Sequence, residues 1–239
     1  MNRSPLISLA ALAAGLAMPA AAAPRAAGPS LGAYATLTTD YRSRGLSQSD
    51  GGPALQAGLD YQHASGFFTG VLASTVDYQV EVPRDANRKS EAEVYAGYQW
   101  RSPKWTATSA AARYVYPGAS TYYDYNEIST GFGYRERVFF TMSYTDALLS
   151  VGPPLFDAET TFAVPLPLGI ELGGTLGRVV SDAYDGGRYT HWNAGVSRPF
   201  GRMGLDIRFY DNDAEGYGLY GKPLPDRWVL SFSYGFSRR

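Results

Sequence analysis

The sequence predicts an all-β protein: a transmembrane antiparallel β-barrel of about twelve strands behind a cleaved leader. Three observations carry this. The first two dozen residues have the layout of an export signal, the rest alternates apolar and polar residues with no helical period, and the connections alternate strictly between short and long.

The leader comes first. Arg3 supplies a positive start, an apolar run follows from Leu6 to Leu16, and Met18-Pro19 precedes the small residues Ala20 to Ala23. The run is too short to cross a bilayer as a helix. Cleavage after Ala22 is expected, because cleavage after Ala23 would leave Pro24 at the new N-terminus. The expected division is therefore residues 1–22 as signal peptide and 23–239 as a single barrel domain. Losing the leader removes Arg3, leaving 20 basic against 22 acidic residues. That balance excludes the strongly basic face of a nucleic-acid binder. Cysteine is absent, which excludes thiolate metal sites and cysteine nucleophiles and suits an exported chain without disulfides. No cofactor or metal is expected from any motif.

Twelve strands are expected over 31–44, 54–63, 67–78, 92–101, 105–116, 125–134, 138–146, 157–166, 170–180, 189–199, 203–212 and 226–236. The even-numbered strands end in tight turns, at Ala64-Ser65-Gly66, Ser102-Pro103-Lys104, Arg135-Glu136-Arg137, Pro167-Leu168-Gly169 and Phe200-Gly201-Arg202. The odd-numbered strands lead into longer stretches rich in Gly, Pro, Asp and Asn: 45–53, 79–91, 117–124, 147–156, 181–188 and 213–225. Tight periplasmic turns and larger outer loops on an even strand number are the pattern of a Gram-negative outer-membrane barrel. A Greek-key sandwich has no reason to alternate so.

Facing agrees. In the last strand Trp228, Leu230, Phe232, Tyr234 and Phe236 share one side, and Val229, Ser231, Ser233 and Gly235 the other. The fourth sets Ala92, Val94, Ala96, Tyr98 and Trp100 against Glu93, Tyr95, Gly97 and Gln99. Outer-membrane lipid is the expected partner of the apolar side, since lipid cannot satisfy polar groups. Trp100 and Trp105 flank one tight turn and mark the periplasmic interface. A soluble lipocalin-like barrel, with its large side chains turned inward, is the alternative. The final strand, ending near Phe236, resembles the signal read by the barrel-assembly machinery, a further expected partner. Here Ser237-Arg238-Arg239 follow the aromatic residue that usually stands last.

The segment Thr39-Asp40-Tyr41-Arg42-Ser43-Arg44-Gly45-Leu46-Ser47-Gln48 resembles the Gcw_chp family of proteobacterial outer-membrane proteins, also called TorF-like porins, with Thr39 where Ser is usual. The likeness continues at Leu59-Asp60-Tyr61, Gly66-Phe67-Phe68-Thr69-Gly70, Tyr116-Pro117-Gly118 and Glu127. It implies an outer-membrane barrel and says little about mechanism.

For function, Asp40, Arg42 and Arg44 fall on the same side of the expected first strand as Thr36 and Thr38, taken as the lumen. Three charges spaced by two near the outer end either line a constriction acting on permeating ions or form ion pairs that brace the wall. The lumen is expected also to carry Asp60, Asp77, Glu93, Glu127, Glu159, Glu171 and Asp206 against Arg113, Arg208 and Arg227, a mildly acidic set favouring cations. Small residues there (Gly97, Ala111, Gly131, Gly133, Gly173, Gly177) leave space or admit large neighbours. The expected function is a porin-like channel for passive diffusion of small polar solutes or ions. The alternative is a structural or adhesive barrel with a plugged lumen.

An outer-membrane lipid hydrolase needs a serine, a histidine and an orienting acid or amide. Of the two histidines, His63 falls at a periplasmic turn, and His191, with Asn193 on its face, has no serine motif aimed at it. A hydrogen-bonded lumenal histidine is the expected reading, and no catalysis. Asp211-Asn212-Asp213-Ala214-Glu215-Gly216 lacks the spacing and final glutamate of a calcium loop. Gly173-Gly174-Thr175-Leu176-Gly177-Arg178 lies within a strand and lacks the lysine of a phosphate loop.

Overall fold

The computed structural model describes residues 29–77, 89–118, 124–146, 152–214 and 226–238. The expected signal peptide, residues 1–22, lies outside the described residues, as do parts of four outer loops. Twelve strands close into an antiparallel barrel: β1 (Ser30–Thr38), β4 (Ala54–Gln62), β5 (Phe67–Thr75), β6 (Ser90–Arg101), β7 (Trp105–Val115), β8 (Tyr125–Tyr134), β9 (Val138–Thr145), β10 (Leu155–Pro165), β11 (Glu171–Val180), β12 (Arg188–Phe200), β13 (Met203–Asn212) and β14 (Arg227–Arg238). Two more short strands, β2 (Arg42–Ser43) and β3 (Leu46–Ser47), pair only with each other. Neighbours in sequence are neighbours in the wall, and β1 closes on β14 from Leu31 opposite Arg238 to Thr38 opposite Ser231. Closure leaves no strand edge for lipid to face.

The reason these segments are strands is the period of two, and the structure puts it to use. Along β8, Tyr125, Glu127, Ser129, Gly131 and Gly133 are buried in the lumen, whereas Asn126, Ile128, Phe132 and Tyr134 point out. Along β14, Trp228, Leu230, Phe232, Tyr234 and Phe236 are exposed on the outside. The outward side is predominantly apolar all round the barrel and most buried polar side chains point in, which is the inverse of a lipocalin-type barrel. Such a belt is stable against hydrocarbon, not water. Trp105 packs on Tyr134 at a ring separation of 4.7 Å beside the periplasmic turns, and Trp192, Phe209 and Trp228 form a second cluster toward the outer end, at 5.6 and 5.4 Å. These are the two interfacial girdles of a bilayer-spanning barrel.

Val196, exposed on β12, lies four residues from Trp192 and four from the periplasmic turn at Phe200, between those girdles. Val196→Arg is expected to cost about 2–4 kcal/mol of folding stability in lipid, read as a lower denaturant midpoint in vesicle-embedded unfolding.

Eleven of the twelve barrel strands begin and end within three residues of the sequence expectation. The exception is the first. It was expected to run to Arg44 and stops at Thr38, because the chain turns inward there.

Candidate functional site: a hairpin folded into the lumen

From Thr39 to Pro53 the first outer loop does not project from the barrel. It enters the lumen. Its centre is a miniature hairpin, with Arg42 opposite Ser47 and Ser43 opposite Leu46. The turn is Arg44-Gly45, with φ of 48° and 79°. Two consecutive residues of positive φ make the tight turn whose twist matches the flanking strands. Glycine is required at 45 twice over: a β-carbon there would come within 2.6 Å of His191 Cβ and 3.2 Å of Asn212 Cβ on the far wall. The hairpin tip is thus pressed against β12 and β13.

Polar contacts fix the hairpin internally. Asp40 is the hub. Its Oδ2 accepts from Arg42 Nε at 2.7 Å, and its Oδ1 accepts from the hydroxyls of Ser47 at 2.5 Å and Ser49 at 3.2 Å. Arg42 Nη1 donates to the Gly45 carbonyl at 3.1 Å. Asp40 and Arg42 are both buried, and burying charges is tolerable only with such pairing.

A second set ties the hairpin to the wall. Arg44 Nη2 donates to Glu127 Oε2 of β8 at 2.5 Å and to Ser143 Oγ of β9 at 3.0 Å, while its Nε donates to Asp157 Oδ2 of β10 at 3.3 Å. The planar guanidinium suits this multiple grip. Tyr189 Oη of β12 donates to the Arg44 carbonyl at 3.0 Å, and Asn212 Nδ2 of β13 to the Gly45 carbonyl at 3.1 Å. Tyr41 Oη donates to Glu91 at 3.3 Å, and Arg227 Nη1 of β14 donates to the Gly51 carbonyl at 2.8 Å. The loop therefore bonds to β6, β8, β9, β10, β12, β13 and β14, across the full width of the lumen.

Apolar packing completes the seat. Leu46, 1% exposed, lies in a cluster with Tyr114, Tyr116, Tyr125, Leu155, Val179, Tyr184 and Tyr189, in which Tyr114 and Tyr125 stack at 4.4 Å. Residues of this cluster border a cavity beside the hairpin that Ser43, Arg44 and Gln48 also line.

The residues singled out in the sequence are distributed as follows. Asp40 and Arg42 brace the hairpin, and Arg44 bridges it to Glu127. Their expected place on a barrel strand is corrected: they alternate on β2 and its flanks, not on β1. Glu93 is buried in the lumen on β6. Asp60 faces the lumen farther toward the periplasmic end, where Tyr95 Oη donates to it. Arg208 pairs with Asp206 at 3.0 Å and with Asn193 at 2.8 Å inside the barrel. Asp77 lies at the outer rim, paired with Lys89 at 2.9 Å and half-exposed.

Arg113 is a correction. Along β7 it is Ala110, Ala112 and Tyr114 that are buried, so Arg113 points outward near the outer end, and so does Ala111. Arg113 pairs there with Asp124 at 3.1 Å. Arg113→Ala is expected to leave reversal potentials unchanged, and to alter stability by no more than about 1 kcal/mol, as for other exposed pairs. The sequence reading passed over Asp157 and Glu91. Both face the lumen, and the parity of Asp157 with Glu159, and of Glu91 with Glu93, is the signal that places them there. Losing Arg113 and gaining these two acids makes the lumen more acidic than expected.

Neither histidine belongs to an assembled triad among the described residues. His63 Nδ1 meets Ser65 Oγ at 2.8 Å in an exposed periplasmic turn, and His191 Nε2 meets Asp157 Oδ1 at 3.3 Å inside the barrel.

A closed, lipid-facing barrel with a loop folded into its lumen defines an outer-membrane protein of the porin architecture. Residues 22–222 match the model of a family described as a bacterial protein of unknown function, Gcw_chp, and the chain belongs to that family. No curated protein matches the sequence. Among solved structures, the KdgM porin aligns over 87% of this chain and 99% of its own, at 9% identity and a TM-score of 0.53. The KdgM porin in complex with disordered oligogalacturonate gives the same coverage and identity at 0.52. The NanC porin covers 85% of this chain and 98% of its own, at 9% identity and 0.55. At such identities the likeness speaks for the fold alone.

Proposed function

We propose that the protein is a porin-like channel through which small polar solutes or ions diffuse passively across the outer membrane, with the inward hairpin setting the aperture. The observation that carries this reading is the placement of Arg44: a charged side chain on a loop, held across the lumen to β8 and β10. A loop so anchored narrows a bore that the wall alone would leave wider, and puts charge where a permeant must pass. Glu91, Glu93, Glu127, Asp157 and Glu159 face the lumen on β6, β8 and β10, so the preference is for cations and neutral solutes. That sets it apart from the acidic oligogalacturonate named with the KdgM porin. Residues 1–22 act as the export leader in this reading, which N-terminal sequencing of the outer-membrane form would check.

A second reading has its own observation. Leu46 buried among tyrosines is a plug contact as much as a constriction contact, and it suits a structural or adhesive barrel with a closed lumen. Planar-bilayer recording of the refolded protein separates the two. Discrete steps with a cation-selective reversal potential in a salt gradient are expected of the channel. Silence over many verified insertions would favour the plugged barrel.

A further inference from the structure

Below the hairpin tip, three adjacent strands bring together side chains that no spacing in the sequence connects. In the register of β10, β11 and β12, Glu159 stands opposite Gly177, and Gly177 opposite His191. The glycine is what lets its neighbours meet. A β-carbon at Gly177 would overlap the His191 imidazole, so the ring lies flat across β11 and carries Nε2 to within 3.3 Å of Asp157 Oδ1, two strands from its own. One ligand atom each from Asp157, Glu159 and His191 lies within 4.8 Å of the others.

The surroundings are short of positive charge. Glu159 makes no hydrogen bond or ion pair among the described residues. Glu127 Oε1 and Glu93 Oε1 are buried without a partner. For the carboxylates of Glu93, Glu127, Asp157 and Glu159, the bonded cationic groups among the described residues are one guanidinium, that of Arg44, and one imidazole, that of His191. Buried carboxylates left so are stabilised by a cation.

We propose that Asp157, Glu159 and His191 form a binding site for a divalent transition-metal cation inside the barrel. An imidazole with two carboxylates is a donor set for Zn²⁺ or Mn²⁺. Ca²⁺ takes six or more oxygens, which this trio does not provide. The ion binds Nε2 of the neutral imidazole, with Nδ1 carrying the ring proton, and takes the place of the contact between His191 Nε2 and Asp157 Oδ1. Glu159, half-buried on the lumenal side, is the ligand through which the ion arrives. The site does not depend on whether the lumen conducts.

The test is calorimetric titration of tag-free refolded protein in detergent with Zn²⁺ and, separately, Mn²⁺, with a heat-dependent gel shift confirming the fold of every variant. One saturable equivalent of at least one of the two ions is expected. His191→Ala is expected to lower affinity at least tenfold, as is Glu159→Gln, whose side chain has no bond to lose on folding. His63→Ala, which removes the one other histidine, leaves affinity unchanged. Absence of saturable binding of both ions to folded protein overturns the proposal. So does binding that survives Glu159→Gln undiminished or disappears with His63→Ala.

Discussion

Excising Asp40–Gly51, so that Thr39-Gly52-Pro53 joins β1 to β4, is expected to raise single-channel conductance severalfold while leaving the barrel folded. The junction is permissive. Thr38 and Ala54 are already opposite one another, and a three-residue hairpin connection is common. Nothing in the wall is removed, so the gel shift on heating should persist. What disappears is the Leu46 knob and every bond that crosses the lumen. The buried tyrosines at 114, 125 and 189 would then line open space. Equal conductance before and after excision would mean that the hairpin does not set the aperture.

Arg44→Ala is the sharper experiment, because it leaves the loop in place and takes away its grip. Truncating one partner of a buried ion pair costs about 3–5 kcal/mol, most of it from the partner left unpaired. Here buried Glu127 loses its ion pair, and buried Asp157 keeps only its contact to His191. That is enough to release the hairpin for much of the time. The expected results are protease cleavage within 39–53, absent in the unaltered protein, and a rise in both conductance and cation preference. Arg44→Lys keeps the charge but cannot reach three partners at once, and should fall between the two. Conductance and selectivity unchanged in Arg44→Ala would remove this arginine from the permeation path.

Most of the wall was legible in the sequence, and the interior was not, for a physical reason. A strand facing lipid must alternate, so β8 and β13 could be placed to the residue from alternation and turns. The same signal misled at Asp40-Tyr41-Arg42-Ser43-Arg44. A hairpin inside the lumen has the same period of two, so its alternation reads as an extension of β1. The cue to the turn is the pair Arg44-Gly45, whose positive φ the alternation does not register. Arg113 failed because Ala110-Ala111-Ala112 offers no contrast between sides, and because large aromatics were expected to point at lipid. Tyr114 points inward since the hairpin gives it something to pack on. Which acids meet Arg44 follows from the register of distant strands, which alternation does not encode.

The seam between β1 and β14 joins residues far apart in the chain; the Ser231 hydroxyl bonds Thr38 across 193 positions. Bringing such ends together carries an entropic cost of about 4–5 kcal/mol from the logarithm of loop length. Arg227, on the last strand, holds the Gly51 carbonyl at 2.8 Å and reaches Asp40 at 3.7 Å. The hairpin that narrows the barrel therefore also latches its final joint. To unzip at the seam, the chain must first give up its own interior, so a loop that looks like an obstruction to traffic is also a brake on unfolding.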